Sequence, residues 1–404
     1  MNVKAFLKAG HTPTLLSAFF YFDMSFMVWV LLGSLGVQIA RQMGLSPAEK
    51  GFMVAVPVLA GAVLRLFNGV LVDRIGPKRA GIISQLIVIA GLLGAWFLGV
   101  HTYQQVLMLG LVLGVAGSSF AIALPLASRW YPPEYQGVAL GIAGAGNSGT
   151  VLASLFAPGL AALVGWQNVV GLAAAPLAAA FVVYLIFAKD SPNQPAPKAW
   201  GDYLNVLKEA DAWWLMLFYG VTFGGFVGLG SSLAIYFNAE YGLGPVVAGL
   251  FTAACVFAGS FLRPVGGALA DRYGGIRTLS VTYAIAASAL AVVSFPMVGP
   301  WMALAVLVVA MGALGMGNGA VFQLVPQRFG KEIGVMTGLV GMTGGLGGFY
   351  LASSLGLAKQ MTGSYQLGFI GFAILAFAAM LSLTAIKRQW RASWRTAGAV
   401  EARV

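Results

Sequence analysis

Arg65 and Arg263 are the residues of this chain best suited to chemistry, because each sits where an apolar helix has least use for a charge. Arg65 lies eight residues before Asp73-Arg74 and Arg263 eight residues before Asp271-Arg272. The segments RLFNGVLVDRIGPKRAG and RPVGGALADRYGGIRTLS are offset by 198 residues. At helical rise each guanidinium falls roughly 12 Å from its charged helix end. That is near the middle of a hydrocarbon core about 30 Å thick. A charge there costs at least about 2.5 kcal/mol and usually marks a substrate or ion path. Guanidinium is planar, permanently charged and shaped for flat oxyanions, so two equivalent arginines predict an anion site.

Other side chains near that depth can complete it. The Asn147 amide reads either as a donor to a bound oxygen or as an interhelical hydrogen bond. The Tyr219 hydroxyl offers one more donor. Phe26, Trp29, Phe120 and Phe223 each read singly as packing or lipid contact. Together, such rings would exclude water and strengthen contacts to guanidinium. Asp23 is the one acidic residue well inside a helix, roughly 13 Å from its start. It reads as a fixed partner of Arg65 or of a helix dipole, as a titrating group that carries a proton, or as a surface-facing residue.

These residues need a scaffold that spans a bilayer. Hydrophobic residues make up 59% of the 404 residues and charged residues 9%, far below the quarter usual in soluble domains. Twelve apolar stretches are predicted as helices: 14–38, 48–72, 79–100, 104–129, 136–160, 165–188, 212–238, 245–270, 277–298, 301–326, 334–358 and 365–386. The first is too long for a signal-peptide core, so it is expected to stay as a helix. The lone Cys255 reads as a packing residue. Of the 23 Lys and Arg, only Arg41, Lys50 and Lys359 fall in loops on one side, and Arg65 and Arg263 are interior. The rest crowd the termini and the loops of the other side, which predicts a cytoplasmic location for both termini. This bias accounts for the net charge of +11 without a nucleic-acid surface. The tail Lys387-Arg388…Arg391…Arg395, with Trp390 and Trp394, reads as an interfacial anchor.

The chain divides at the proline-bearing stretch 190–197. A six-helix bundle over 1–189, a cytoplasmic linker over 190–211 with a surface helix near 201–211, and a second bundle over 212–404 are expected. Gly137-x-x-x-Gly141-x-x-Gly144 opens the fifth helix, and Gly334-x-x-x-Gly338-x-x-Gly341 opens the eleventh. These glycines, with Gly344 and Gly345, read as close helix packing or as room for a moving helix beside a cavity. Six helices per half make the repeat parallel, the arrangement of the major facilitator superfamily, and DRIGPKR and DRYGG resemble its signature loop. The predicted class is an all-α membrane protein with that fold.

Finer resemblance comes from VLAGAVLRLFNG, VFAGSFLRPVGGALADRYGG and GIAGAGNSG, supported by FDMSFMVWVLLG, LFYGVTFGGFVG and GMGNGAVFQ. These segments are similar to the nitrate/nitrite porter family of that superfamily. The resemblance implies a bacterial inner-membrane transporter of nitrate and nitrite, in which Arg65 and Arg263 bind the anion. Asn147 and Tyr219 would hydrogen-bond it and Phe26, Phe120 and Phe223 would line the site. The family's second signature asparagine has no counterpart, since Gly344 stands where Asn147 stands in the first half. Nitrate and nitrite are planar and unprotonated near neutral pH, so binding them requires charge but no proton acceptor.

The driving force has two readings. Facing arginines repel in an empty carrier, which favours nitrate/nitrite antiport. A proton on Asp23 would instead permit net nitrate uptake against a potential of about 2.3 kcal/mol per charge per 100 mV, and Asp23 tilts the expectation to such symport. A carrier of larger organic anions would share fold and arginines but not so small a site. A nitrate receptor would more naturally carry a soluble signalling domain. With no metal cluster, nucleophile motif or phosphate loop, neither an enzyme nor a cofactor is expected, and a monomer suffices.

Overall fold

Membrane-length helices follow one another with little chain between them. The computed structural model describes residues 3–192, 200–295, 299–329 and 332–396, with no strand among the described residues. Helix α1 (Thr12–Trp29) continues through Leu31–Ser34 and Gly36–Met43. After it come α2 (Pro47–Ile75), α3 (Pro77–Leu98), α4 (Tyr103–Ser128), α5 (Val138–Val164) and α6 (Trp166–Phe187). The second set is α7 (Ala210–Tyr241), α8 (Pro245–Tyr273), α9 (Gly275–Ser294), α10 (Pro300–Arg328), α11 (Ile333–Thr362) and α12 (Gln366–Thr396). All but α1 are long and apolar enough in one run to cross a membrane, and the chain is a multi-pass membrane protein. Outward-facing Phe97, Leu98, Leu163 and Trp301 present apolar surface of the kind lipid accepts.

Local chemistry sets the helix ends. Capping boxes start α2 (Ser46 with Glu49) and α4 (Thr102 with Gln105). Gly76 (φ 86°) ends α2 and Gly274 (φ 95°) ends α8 at the same point of the repeat. Both need the left-handed region that glycine enters freely.

The helices depart from the expected uniform rods. Helix α1 breaks at Val30 and Leu35, and α4 breaks between Gly117 and Phe120. Helix α5 passes through a single 3-10 turn over Ala145–Ser148, and α8 breaks at Leu262. Pro264 accounts for the last, since it has no N–H and its ring crowds the carbonyl four residues back. In α4 the Ser118 hydroxyl donates to the Val115 carbonyl at 2.6 Å, a bond that competes with the helix ladder. A short helix, Trp200–Val206, lies within the stretch expected to carry a surface helix, and α7 begins at Ala210. Linker residues 193–199 lie outside the described residues.

Charges of the signature loop do tie neighbouring helix ends together: Asp73 at the end of α2 pairs with Arg129 after α4 at 2.6 Å. At the end of α10, Arg328, one residue beyond the position equivalent to Arg129, pairs with Asp211 at 2.5 Å and Glu209 at 2.9 Å. One expectation needs correction here. Trp390 is no interfacial anchor: it is 1% exposed, its Nε1 donates to Asp211 at 2.7 Å, and its ring meets Phe218 edge-on. Burying the ring while giving its N–H a carboxylate satisfies both ends of an amphipathic side chain. The side chains of Arg391, Trp394 and Arg395 lie outside the described residues.

The two helix sets meet unevenly. Away from the face where α1 starts and α12 ends, backbones nearly touch. A Cβ on Gly51 would lie 2.8 Å from the Gly356 Cα, and one on Gly33 would lie 2.9 Å from the Ser231 Cα. One on Gly249 would lie 2.7 Å from the Ser154 carbonyl. Towards the terminal face, Gly141, Gly144, Gly334 and Gly338 have nothing within 4 Å of such a Cβ. The opposite face is therefore sealed, and space opens on the terminal side.

Candidate anion-binding site

Arg65 is 1% exposed, held at mid-helix in α2. Its Nε donates to the Gly117 carbonyl at 3.1 Å and its Nη1 to the Gly341 carbonyl at 2.7 Å. The first acceptor is free because α4 breaks there, and the second belongs to α11 in the other helix set. Four rings surround the guanidinium: Phe223 at 5.0 Å, Trp29 at 5.1 Å, Phe120 at 5.3 Å and Phe26 at 5.9 Å. Cation–π attraction offsets part of the burial cost. No carboxylate does so among the described residues, and Nη2 has no hydrogen-bond partner.

Arg263 opens the second segment of α8 and lies over the Phe322 ring at 5.5 Å. Its Nη1 is buried without a partner. Tyr219 stands between the arginines, within electrostatic reach of both guanidiniums. Its ring stacks on Phe223 at 5.1 Å and meets Phe322 edge-on at 5.0 Å, while its hydroxyl lies beside the Arg263 side chain and its own proton meets no acceptor. Trp29 is fixed by its Nε1, which donates to the Pro57 carbonyl at 2.8 Å, and it stacks over Phe223 at 6.5 Å. On the terminal side Phe120 meets Phe322 at 5.8 Å, so one aromatic pair closes α4 against α10.

Asn147 lies in the 3-10 turn of α5, packed between α1 and the first segment of α8. It is wholly buried, and neither end of its amide has a partner. Asp23 does not pair with Arg65: its carboxylate accepts from the neighbouring Ser148 hydroxyl at 2.7 Å. The glycines divide by place. A Cβ on Gly341 would lie 3.4 Å from the Arg65 Cδ and from Phe120. On Gly344 it would lie 2.8 Å from the Tyr219 ring, and on Gly345 2.5 Å from the Ala62 Cβ. Gly341 and Gly344 let α11 press on the arginine and the rings, and Gly345 lets it press on Ala62 of α2. Gly141, Gly144 and Gly338 instead border the open terminal side.

The arrangement is a small apolar box with cationic and neutral donors left unmatched. A buried donor without an acceptor costs about 1–3 kcal/mol, and Arg65, Arg263, Tyr219 and Asn147 each carry one. A compact, weakly hydrated oxyanion would satisfy several together. Phe322 was missed by sequence reasoning, although it lies within the segment GMGNGAVFQ. No periodicity distinguishes it from other apolar residues of α10, and only the packing places it against Arg263.

Residues 15–352 match the family model described as Major Facilitator Superfamily. A "Nitrite extrusion protein" of Bacillus subtilis (strain 168) is 34% identical over 88% of this chain and 89% of its own. The "Probable nitrate/nitrite antiporter NarK1" of Thermus thermophilus is 31% identical, covering 91% of this chain and 90% of its own. The "Probable nitrate/nitrite transporter NarK2" of Mycobacterium tuberculosis (strain ATCC 25618 / H37Rv) is 35% identical over 84% and 87%. Among solved structures, a bacterial homologue of the human lysosomal transporter Spinster, inward-facing and occupied, superposes with a TM-score of 0.70. It is 17% identical and covers 93% of this chain and 96% of its own, a likeness of fold.

Proposed function

The chain belongs to the nitrate/nitrite porter family of the major facilitator superfamily, and we propose that it carries nitrate and nitrite across the membrane by alternating access. The observation that carries this reading is the pair of arginines from equivalent helices, each with an unmatched donor in one aromatic box. Arg65 and Arg263 hold the anion, Tyr219 and Asn147 donate to its oxygens, and Phe26, Phe120 and Phe223 exclude water. Residues 1–189 and 212–404 act as the two moving bodies, joined by 190–211. Gly341, Gly344 and Gly345 let α11 slide against the site, and Gly141, Gly144 and Gly338 leave room for the anion's exit. A single chain supplies every one of these residues, so a monomer suffices. The charge bias of the loops supports cytoplasmic termini and the bacterial sources of the relatives support an inner membrane, a reading in which the open terminal side is the cytoplasmic one.

The absence of any carboxylate at Arg65 among the described residues favours exchange. Two buried guanidiniums repel when the box is empty, so the empty carrier resists closing and a second anion must ride back. The test is nitrate uptake into proteoliposomes that are empty, nitrite-loaded or held under a proton gradient. Uptake confined to nitrite-loaded vesicles is the expected result, and no nitrate uptake in any of the three would overturn the transport reading.

One observation favours a second reading. Asp23 is buried and bonded through Ser148 to the turn that holds Asn147, so protonating Asp23 would alter that bond, be felt at the Asn147 turn and couple uptake to pH. Uptake into empty vesicles, raised by an acidic exterior, would establish that mode.

A further inference from the structure

We propose that Asn318 of α10 is a further anion-binding residue, the donor from the second half that substitutes for the missing asparagine of α11. This rests on the anion-transport reading above. Asn318 is wholly buried, and neither its Nδ2 nor its Oδ1 has a partner. Among the described asparagines only Asn147 shares that condition. Asn68 donates to Ser118 at 2.6 Å, Asn168 to the Val164 carbonyl at 2.7 Å and Asn238 to the Leu243 carbonyl at 2.7 Å, while Asn205 accepts from Lys208 at 3.0 Å.

The register of α10 turns this amide towards the box. Gly315 and Gly319 press on α8, at Gly259 and at the Arg263 carbonyl, and Gly317 faces Thr222 of α7. Asn318 shares its face with Phe322, one turn on, and Phe322 touches Arg263, Tyr219 and Phe120. Depth agrees. The Arg328–Asp211 pair levels the ends of α10 and α7. From those ends Asn318 lies roughly 15 Å in and Tyr219 roughly 12 Å in. The repeat sharpens the point: Gly312-x-x-Gly315 matches Gly114-x-x-Gly117 at an offset of 198 residues, which places Asn318 where Phe120 stands in the first half. One half therefore brings a ring from its fourth helix and an amide from its fifth, and the other brings its amide from the fourth.

The test uses the full-length protein, in detergent for nitrate-dependent thermal stabilisation and in nitrite-loaded proteoliposomes for exchange. Asn318→Leu keeps the shape of the side chain and removes its hydrogen bonding. We expect it to melt no lower than wild type without anion, and to bind nitrate about 10- to 100-fold more weakly. Wild-type nitrate affinity in that variant would overturn the proposal and leave Asn318 a packing residue. If Asn318→Leu cannot be recovered, Asn318→Ser against Asn318→Ala carries the test: tighter nitrate binding by serine supports the assignment, and equal binding overturns it. Failure of the transport reading looks different, because wild type itself would then show neither nitrate-dependent stabilisation nor exchange.

Discussion

Arg65 does two things with one guanidinium. Its Nε and Nη1 are committed to the Gly117 and Gly341 carbonyls, which orients the plane and leaves Nη2 for a ligand. Lysine gathers its three donors on one nitrogen without the planar fork, and from that single point it cannot span the two carbonyls and the anion together. Arg65→Lys and Arg263→Lys are therefore expected to reduce nitrate uptake by about 100-fold or more with normal amounts of protein in the membrane. Wild-type uptake by both in proteoliposomes would remove them from the site. Tyr219→Phe tests a neutral donor. Its hydroxyl proton has no protein acceptor and Arg263 is its one polar neighbour, so the loss should fall mainly on nitrate affinity, by about 10-fold, with little change in the melting temperature. A fall in melting temperature with unchanged affinity would mean that the hydroxyl serves the fold instead.

At the scale of helices, the breaks matter as much as the rods. The interruption of α4 frees the Gly117 carbonyl for Arg65, and the break at Leu262 places Arg263 at the head of a new segment. Closure of the far face depends on α2 and α11 meeting backbone to backbone at Gly51 and Gly356. Gly356→Val would wedge them apart, and exchange should cease while the protein still folds; labelling of a cysteine placed at the far-face seam should rise. Unaltered labelling would show that this contact does not seal the face. Trp390→Phe removes a hydrogen bond to the Asp211 carboxylate and should cost about 1.5–3 kcal/mol of stability, read as a lower melting temperature. Helix number, order and the place of both arginines inside long apolar helices were legible in the sequence, because a bilayer imposes length and apolarity on each span. The breaks were not, since Ser118 and the 3-10 turn of α5 act through bonds that no hydropathy pattern records. Trp390 was misjudged because a tryptophan beside basic residues suits an interface equally well, and its acceptor lies 179 residues away.

On the scale of the whole molecule, charge decides what can move. A carrier with two uncompensated guanidiniums in an apolar box is restrained until an anion neutralises part of that charge. If exchange is the cycle, Asp23→Asn should leave nitrate-for-nitrite counterflow intact. Loss of counterflow, with pH-driven uptake lost alongside it, would make Asp23 part of the cycle.

The two seals of the box are made of different material: ring against ring where Phe120 meets Phe322, glycine backbone against backbone on the far side. Parting the rings wets apolar surface and raises the heat capacity, whereas parting peptide groups tends to lower it. The two half-cycles should then respond to temperature with different curvatures. Warming would shift the resting balance between the two openings, so the side from which this carrier accepts its anion most readily becomes a function of temperature.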